Sequence, residues 1–205
     1  MYDLTINIDS ESTGINYVLP GIRENLKLGK ANGEYPIRYG LSKNNNEFIE
    51  FSFLNDEGQT FIHTEYVPTD EDLAKRDKKV ANQTKRIRHI LTKIVNEDLI
   101  KFKVETFKQF AEKVIEIVGD NYKDKLFRGK IVYNDRNYTT FPNYVPFIEK
   151  MDVEKENSRL TISGDDKVVK TKSDPIRNAK NPFDTTQEES PAEVPQTPSN
   201  NDLPF

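Results

Sequence analysis

EFIEFSFLNDEGQTFIHTEYV, residues 47–67, is the stretch on which the fold turns. Ile49, Phe51 and Phe53 alternate with Glu50 and Ser52, the period of a strand with one buried face. Asn55, Asp56, Glu57 and Gly58 then break the pattern with turn chemistry, and a second apolar-rich run follows. The segment reads as a β-hairpin. On its N-terminal side, ENLKLGKANGEYPIRYGL (24–41) suggests one or two further strands split at Asn32 and Gly33. On the far side, KLFRGKIVYNDRNYTTFPNYVPFI (125–148) repeats the form: a strand, a turn over Asn134–Asn137, and a Pro-interrupted extended run.

Two helical patterns lie between these β regions. In residues 70–95, Leu73, Val80, Ile87 and Ile94 recur every seven positions, with Ala81, Leu91 and Val95 beside them. Asp70, Glu71 and Asp72 open the segment and bases fill the rest, which suits the helix dipole. In residues 105–120, Phe107, Phe110, Ala111, Val114, Ile117 and Val118 follow the i, i+3, i+4 rule, and Gly119 fits a C-cap. The order is strands, helix, helix, strands. That order predicts a mainly β protein with inserted helices: an OB-fold, a five-stranded Greek-key barrel, here with a two-helix insertion.

Composition changes near residue 157. From there to Phe205 the chain holds six bases and eight acids, many Ser, Thr, Asn and Pro, and few aromatics. Such a stretch cannot bury enough apolar surface to offset its ordering entropy. The expected division is a folded domain over 1–156 and a flexible, disordered acidic tail over 157–205. A short strand at Arg159–Ile162 is the one ordered element foreseen near the boundary.

The chain has no cysteine, which excludes disulfides, thiolate catalysis and Cys-ligated metals. Its acidic start, MYDLTINIDSES, lacks the apolar core of a leader, and no run approaches the roughly 18 apolar residues of a membrane span. A soluble cytoplasmic protein without membrane association is expected. His63 reads as a strand-surface residue and His89 as a solvated helix residue, with no spacing for a shared metal. Asp165, Asp166 and Lys167 resemble a nuclease-type acidic element but fall in the expected tail, where nothing would hold a metal. No phosphate-cradling glycine loop or nucleophile motif occurs. The sequence points to a non-enzyme with no catalytic residues, cofactor or metal.

Binding chemistry is better represented. Residues 75–93 carry eight bases against one acid, a local net of +7, of the kind that attracts phosphate. Aromatics and bases also interleave in the β regions: Tyr35 and Tyr39 around Arg38; Phe127 and Tyr133 around Arg128 and Lys130; and Tyr138, Phe141, Tyr144 and Phe147 after Arg136. Single-stranded nucleic acid is bound by this pairing, with rings stacking on bases and cations following the backbone. Alternation along 127–133 places Phe127 inward and Arg128 and Lys130 outward, in a groove. The expected DNA-binding set is Lys27, Lys30, Arg38 and Tyr39 near the first strands, Lys85, Arg86 and Arg88 on the basic helix, and Arg128, Lys130, Tyr133, Arg136, Tyr138 and Tyr144 after it.

The chain ends Asp202, Leu203, Pro204, Phe205 after an acidic, proline-rich stretch. This ending resembles the C-terminal tip of bacterial and phage single-stranded DNA-binding proteins. GIRENLKLGK (21–30) and EFIEFSFLNDEGQTFIHTEY (47–66) are similar to phage members of that family. Many such tips carry a run of acids where this chain has Asn200 and Asn201. The resemblance implies an OB-fold that coats single-stranded DNA without sequence preference. It also implies a tail that recruits replication, recombination or repair enzymes in the host cytoplasm. Asp202–Phe205 would be the partner-docking tip, with Phe205 in an apolar pocket and its carboxylate on a base. The tail would compete for the DNA groove through Asp184, Glu188, Glu189, Glu193 and Asp202. The alternative is a protein–protein adaptor or anti-host factor whose +7 helix meets an acidic partner and which binds no single-stranded DNA. The sequence leaves the oligomeric state open, a homodimer included.

Overall fold

The computed structural model describes residues 17–170. The expected tip, Asp202–Phe205, and the acids of the expected competing tail lie outside the described residues. Seven strands form one antiparallel sheet: β1 (Gly21–Leu28), β2 (Ile37–Leu41), β3 (Glu47–Leu54), β4 (Thr60–Tyr66), β5 (Phe127–Tyr133), β6 (Thr139–Thr140) and β7 (Ile148–Lys150). Two helices, α1 (Leu73–Ile94) and α2 (Phe107–Val118), separate β4 from β5, with a short 3-10 turn at Glu97–Ile100 between them. The protein is therefore mainly β with two inserted helices, as expected. Four strands precede the helices and three follow, where the sequence reading counted five in all.

The decisive hairpin forms as read: β3 and β4 pair from Phe48↔Tyr66 to Leu54↔Thr60 around a turn closed by the Asn55 side chain, whose Oδ1 accepts from the Glu57 and Gln59 backbone N–H groups. The strand path runs β2-β3-β1-β5-β6, with β4 on β3 and β7 on β5. β1 makes the sheet curl. Its first part pairs with β5 (Gly21↔Ile131 to Leu26↔Phe127) and its last two residues pair with β3. A register shift between Arg23 and Leu26 separates the two, with Asn25 at φ +57°. A bulge of this kind bends a strand and raises its twist, so one strand serves both sides of a half-barrel.

The concave face holds a cluster of rings. Phe51, Phe53, Phe61, Phe127, Phe141 and Phe147 are all fully buried. Phe141 centres them, 4.7 Å from Phe61, 5.5 Å from Phe53 and stacked at 4.6 Å on Phe147. α1 closes this core with Ile87, Ile90, Leu91 and Ile94, and α2 with Ala111, Val114 and Val118. α2 begins in a capping box of Thr106 and Gln109 and ends at Gly119. Tyr35 anchors it by donating to the Ile115 and Gly119 carbonyls, and its hydroxyl pKa is pushed up to about 12, by burial first and by Tyr122 and Asp120 next.

The seven-residue stripe of α1 is only half used. Ile87 and Ile94 are buried, but Leu73 and Val80 are exposed, as are all residues from 71 to 82. A helix of 22 residues is about 33 Å long and outruns the sheet beneath it. Its N-terminus is held locally by Asp72, which accepts from the Ala74 and Lys75 backbone N–H groups.

The folded body does not stop at residue 156. Leu160 and Asp166 are buried, and residues 158–168 cross the outer face of β5 as a strap. The Tyr133 N–H donates to the Lys167 carbonyl at 2.7 Å. Arg159–Ile162 belongs to this strap but joins no strand. No helix among the described residues is long and apolar enough to cross a membrane.

Candidate functional site

All seven residues of β5 are buried, which overturns the outward placement of Arg128 and Lys130. Phe127 and Ile131 point into the ring core as expected. The opposite face, instead of meeting water, is covered by the segment that follows β7 and by the strap. Arg128 donates from Nη1 to Glu149 Oε1 at 2.6 Å and to the Val153 carbonyl at 3.2 Å, and from Nε to Glu24 at 3.1 Å. The Glu149 bond, against burial, holds its pKa above the usual guanidinium value. Lys130 Nζ spends its three donors on the Tyr144 hydroxyl (2.8 Å), the Thr161 carbonyl (3.0 Å) and Asp166 Oδ2 (3.1 Å), and lies 4.3 Å from the Tyr144 ring centre. Burial pushes Asp166 up, but the Tyr144, Ser163 and Lys130 hydrogen bonds outweigh it and hold the carboxyl below its usual value. Both cations are neutralised internally and offer nothing to a phosphate in this arrangement. Tyr144 is part of the same cluster, and Asp166 serves as its counter-ion.

The histidines also differ from expectation. His63 is buried on β4. Its Nε2–H donates to Glu65 at 3.1 Å, and Nδ1 lies 3.2 Å from the Thr140 hydroxyl. Burial alone would raise Glu65, but the two-pronged Arg86 and His63 bring its pKa to about 2. Arg86 is thereby committed to the body and is not a free cation of the helix. His89 is half-buried and accepts the Phe147 N–H at Nε2, with its ring 4.9 Å from the Phe147 ring. Burial first, and Lys93 second, lower its pKa to about 4. Both histidines sat in patterns that look solvated because the covering residue, Thr140 or Phe147, comes from a strand or loop beyond the helices.

Of the other expected residues, Arg38 pairs with Glu50 at 3.0 Å and lies over the Phe48 ring, Tyr39 donates to Glu47 at 2.6 Å, and Lys30 meets Glu34 at 3.4 Å. Arg88 pairs with Glu97 at the surface. Lys27, Lys85 and Arg136 are exposed and carry no ion pair among the described residues.

The structure does gather aromatics elsewhere. A groove of about 680 Å³ runs between the outer side of β4, the start of the described chain and the β5–β6 turn. Tyr17, Tyr66, Tyr133 and Tyr138 line it, and the residues Tyr17, Tyr66 and Tyr138 are 49%, 52% and 66% exposed. Arg136 and Lys170 supply positive charge, the latter 5.8 Å from the Tyr133 ring centre. The one carboxylate in the wall, Asp135, is paired with Lys167. Thr64, Thr139 and Thr140 add hydroxyls along the floor. The Asn134 side chain shapes the turn by accepting from the Arg136 and Tyr138 backbone N–H groups.

Three expected residues, Tyr133, Arg136 and Tyr138, thus meet in one place. Tyr17 and Tyr66 complete it and were missed. Tyr66 was legible as the aromatic that closes the hairpin. Tyr17 has no pattern around it and reaches the groove only because it bridges to Thr60 in parallel. Chemically, the groove offers flat ring faces, hydroxyl hydrogen-bonding groups and two cations. Among the described residues no cluster of acids or histidines is arranged to hold a metal. No protein-family model matches the chain, and the search of curated proteins finds no match.

Proposed function

We propose that the chain binds single-stranded DNA without sequence preference, as a protecting and recruiting protein in phage-type DNA replication, recombination or repair. The tyrosine-lined groove with Arg136 and Lys170 carries the reading. Three exposed tyrosines line one groove, and each base stacked on such a ring contributes roughly 1–3 kcal/mol whatever its identity. Lys27 and Lys85, exposed and unpaired among the described residues, are further candidates for phosphate contacts. In this reading the curled antiparallel sheet is an OB barrel, and the C-terminal segment ending in Phe205 recruits partner proteins.

The test is fluorescence anisotropy of labelled oligo-dT with full-length protein at low and moderate salt, beside a duplex control. Salt-sensitive binding to the single strand and much weaker binding to the duplex are expected. Tyr66→Ala and Tyr138→Ala each lose about tenfold in affinity, and Arg136→Ala lowers the log–log salt slope by about 0.7. Failure to bind at low salt removes the function and returns the adaptor reading. Binding that all three variants leave intact removes the groove.

A further inference from the structure

A second groove shares no lining residue with the tyrosine groove. It holds about 410 Å³ between α1, the segment after the 3-10 turn, and the start of α2. Its floor is Ile87 and Leu91, and its walls are the half-buried Ile100, Phe102 and Phe110. The rings of Phe102 and Phe110 sit 5.8 Å apart, and Phe107 lies 6.1 Å from Phe110.

Every charged residue lining this groove is a cation: Arg88, Lys101 and Lys103. Lys103 has no ion pair among the described residues. Arg88 and Lys101 pair with Glu97 and Asp98, but all four side chains in those two pairs are more than half exposed, so the pairs are weak and exchangeable. The exposed Lys85 stands one residue beyond the groove-lining Thr84 on α1. A recessed aliphatic and phenylalanine floor takes an aliphatic or aromatic side chain, and a rim of one sign selects the opposite charge around it. Bases stack on exposed ring faces, but here the floor is aliphatic and sunk, and Thr84 is the only uncharged polar side chain in the lining.

We propose that this groove docks an acidic peptide segment of a partner protein, with one aliphatic or aromatic anchor set among carboxylates. The anchor fills the space above Ile87 and Leu91. The flanking carboxylates displace Glu97 and Asp98 from Arg88 and Lys101 and meet Lys103 directly. The site works independently of what the tyrosine groove binds.

The probe is a fluorescein-labelled peptide, Glu-Asp-Asp-Phe-Asp-Leu-Glu, titrated into full-length protein and followed by anisotropy. Saturable binding is expected, weakened about tenfold by Lys103→Glu and by Thr84→Trp, which fills the mouth. It is lost when Phe and Leu of the peptide become Ser, and unlabelled oligo-dT does not displace the peptide. Lys103 and Thr84 are both exposed, and a thermal melt of each variant verifies its fold. Absent binding, affinity unchanged by Lys103→Glu, or displacement by oligo-dT would each overturn the proposal, the last by assigning the groove to nucleic acid.

Discussion

At His89 the lone pair of Nε2 is occupied by the Phe147 N–H, so the folded protein holds this imidazole neutral. Its pKa falls from 6.5 to about 4 on folding, through burial and then Lys93. The unfolded chain therefore takes up the proton first. The associated stability is complete above pH 6.5 and drains as pH falls toward about 4. After allowance for partial solvation the loss is about 1–2 kcal/mol. Urea unfolding at the two ends of that window should show it, and His89→Gln, whose amide oxygen can accept the same N–H, should flatten it. Equal slopes in the two proteins would remove the assignment. Glu65 acts in a separate window: with a folded pKa of about 2, its contribution is lost only below pH 4.5.

Among the elements, β5 is the one on which most of the structure converges, flanked by β1 and β7 and continued by β6. Gly129 allows the close approach. A Cβ there would lie 2.8 Å from Leu26 Cδ1 and 3.2 Å from Phe141 Cε1, both in the packed core. Gly129→Ala should cost about 1–3 kcal/mol in denaturant unfolding, as overpacking does, and a neutral result would mean that the β1 bulge yields at no cost. The same strand shows where pattern reading stops. The alternation of Phe127, Arg128, Lys130 and Ile131 correctly separates two faces, but it cannot say whether the second face meets water or a strap. A strand buried on both sides usually reads as a continuous apolar run. Here its second face is ionic, with counter-charges Glu149 and Asp166 that lie 21 and 36 residues on. Both helices were legible because their caps and periodicity are local. The exposure of Leu73 and Val80 was not, since it depends on where the sheet ends.

For the whole molecule, the boundary of the folded body follows from that strap. Composition places it near residue 157, because residues 157–170 are polar and look solvated. Burial of Leu160 and Asp166 moves it to at least residue 168. A chain ended at residue 156 strands the Lys130 ammonium without Asp166 and without the Thr161 carbonyl, and uncovers the outer face of β5. It should unfold about 1.5–3 kcal/mol more easily than a chain ended at residue 170, the value of the buried Leu160 side chain that goes with the strap, while the uncovered ammonium returns to water. Equal thermal midpoints for the two chains would show that the strap is ornamental to the fold. The tyrosine groove was partly legible for a related reason. Its turn, Asn134–Asn137, is local and readable, whereas Tyr17, Tyr66 and Tyr138 come from three separate stretches that only the curled sheet brings together.

The Lys130–Asp166 pair also sets an order of events during synthesis. β5 emerges from the ribosome 36 residues before its last counter-charge does. Until Asp166 arrives, the Lys130 ammonium has no carboxylate to accompany it out of water, and it stays hydrated. The outer face of β5 therefore cannot be covered until the strap has been made, after all seven strands of the sheet.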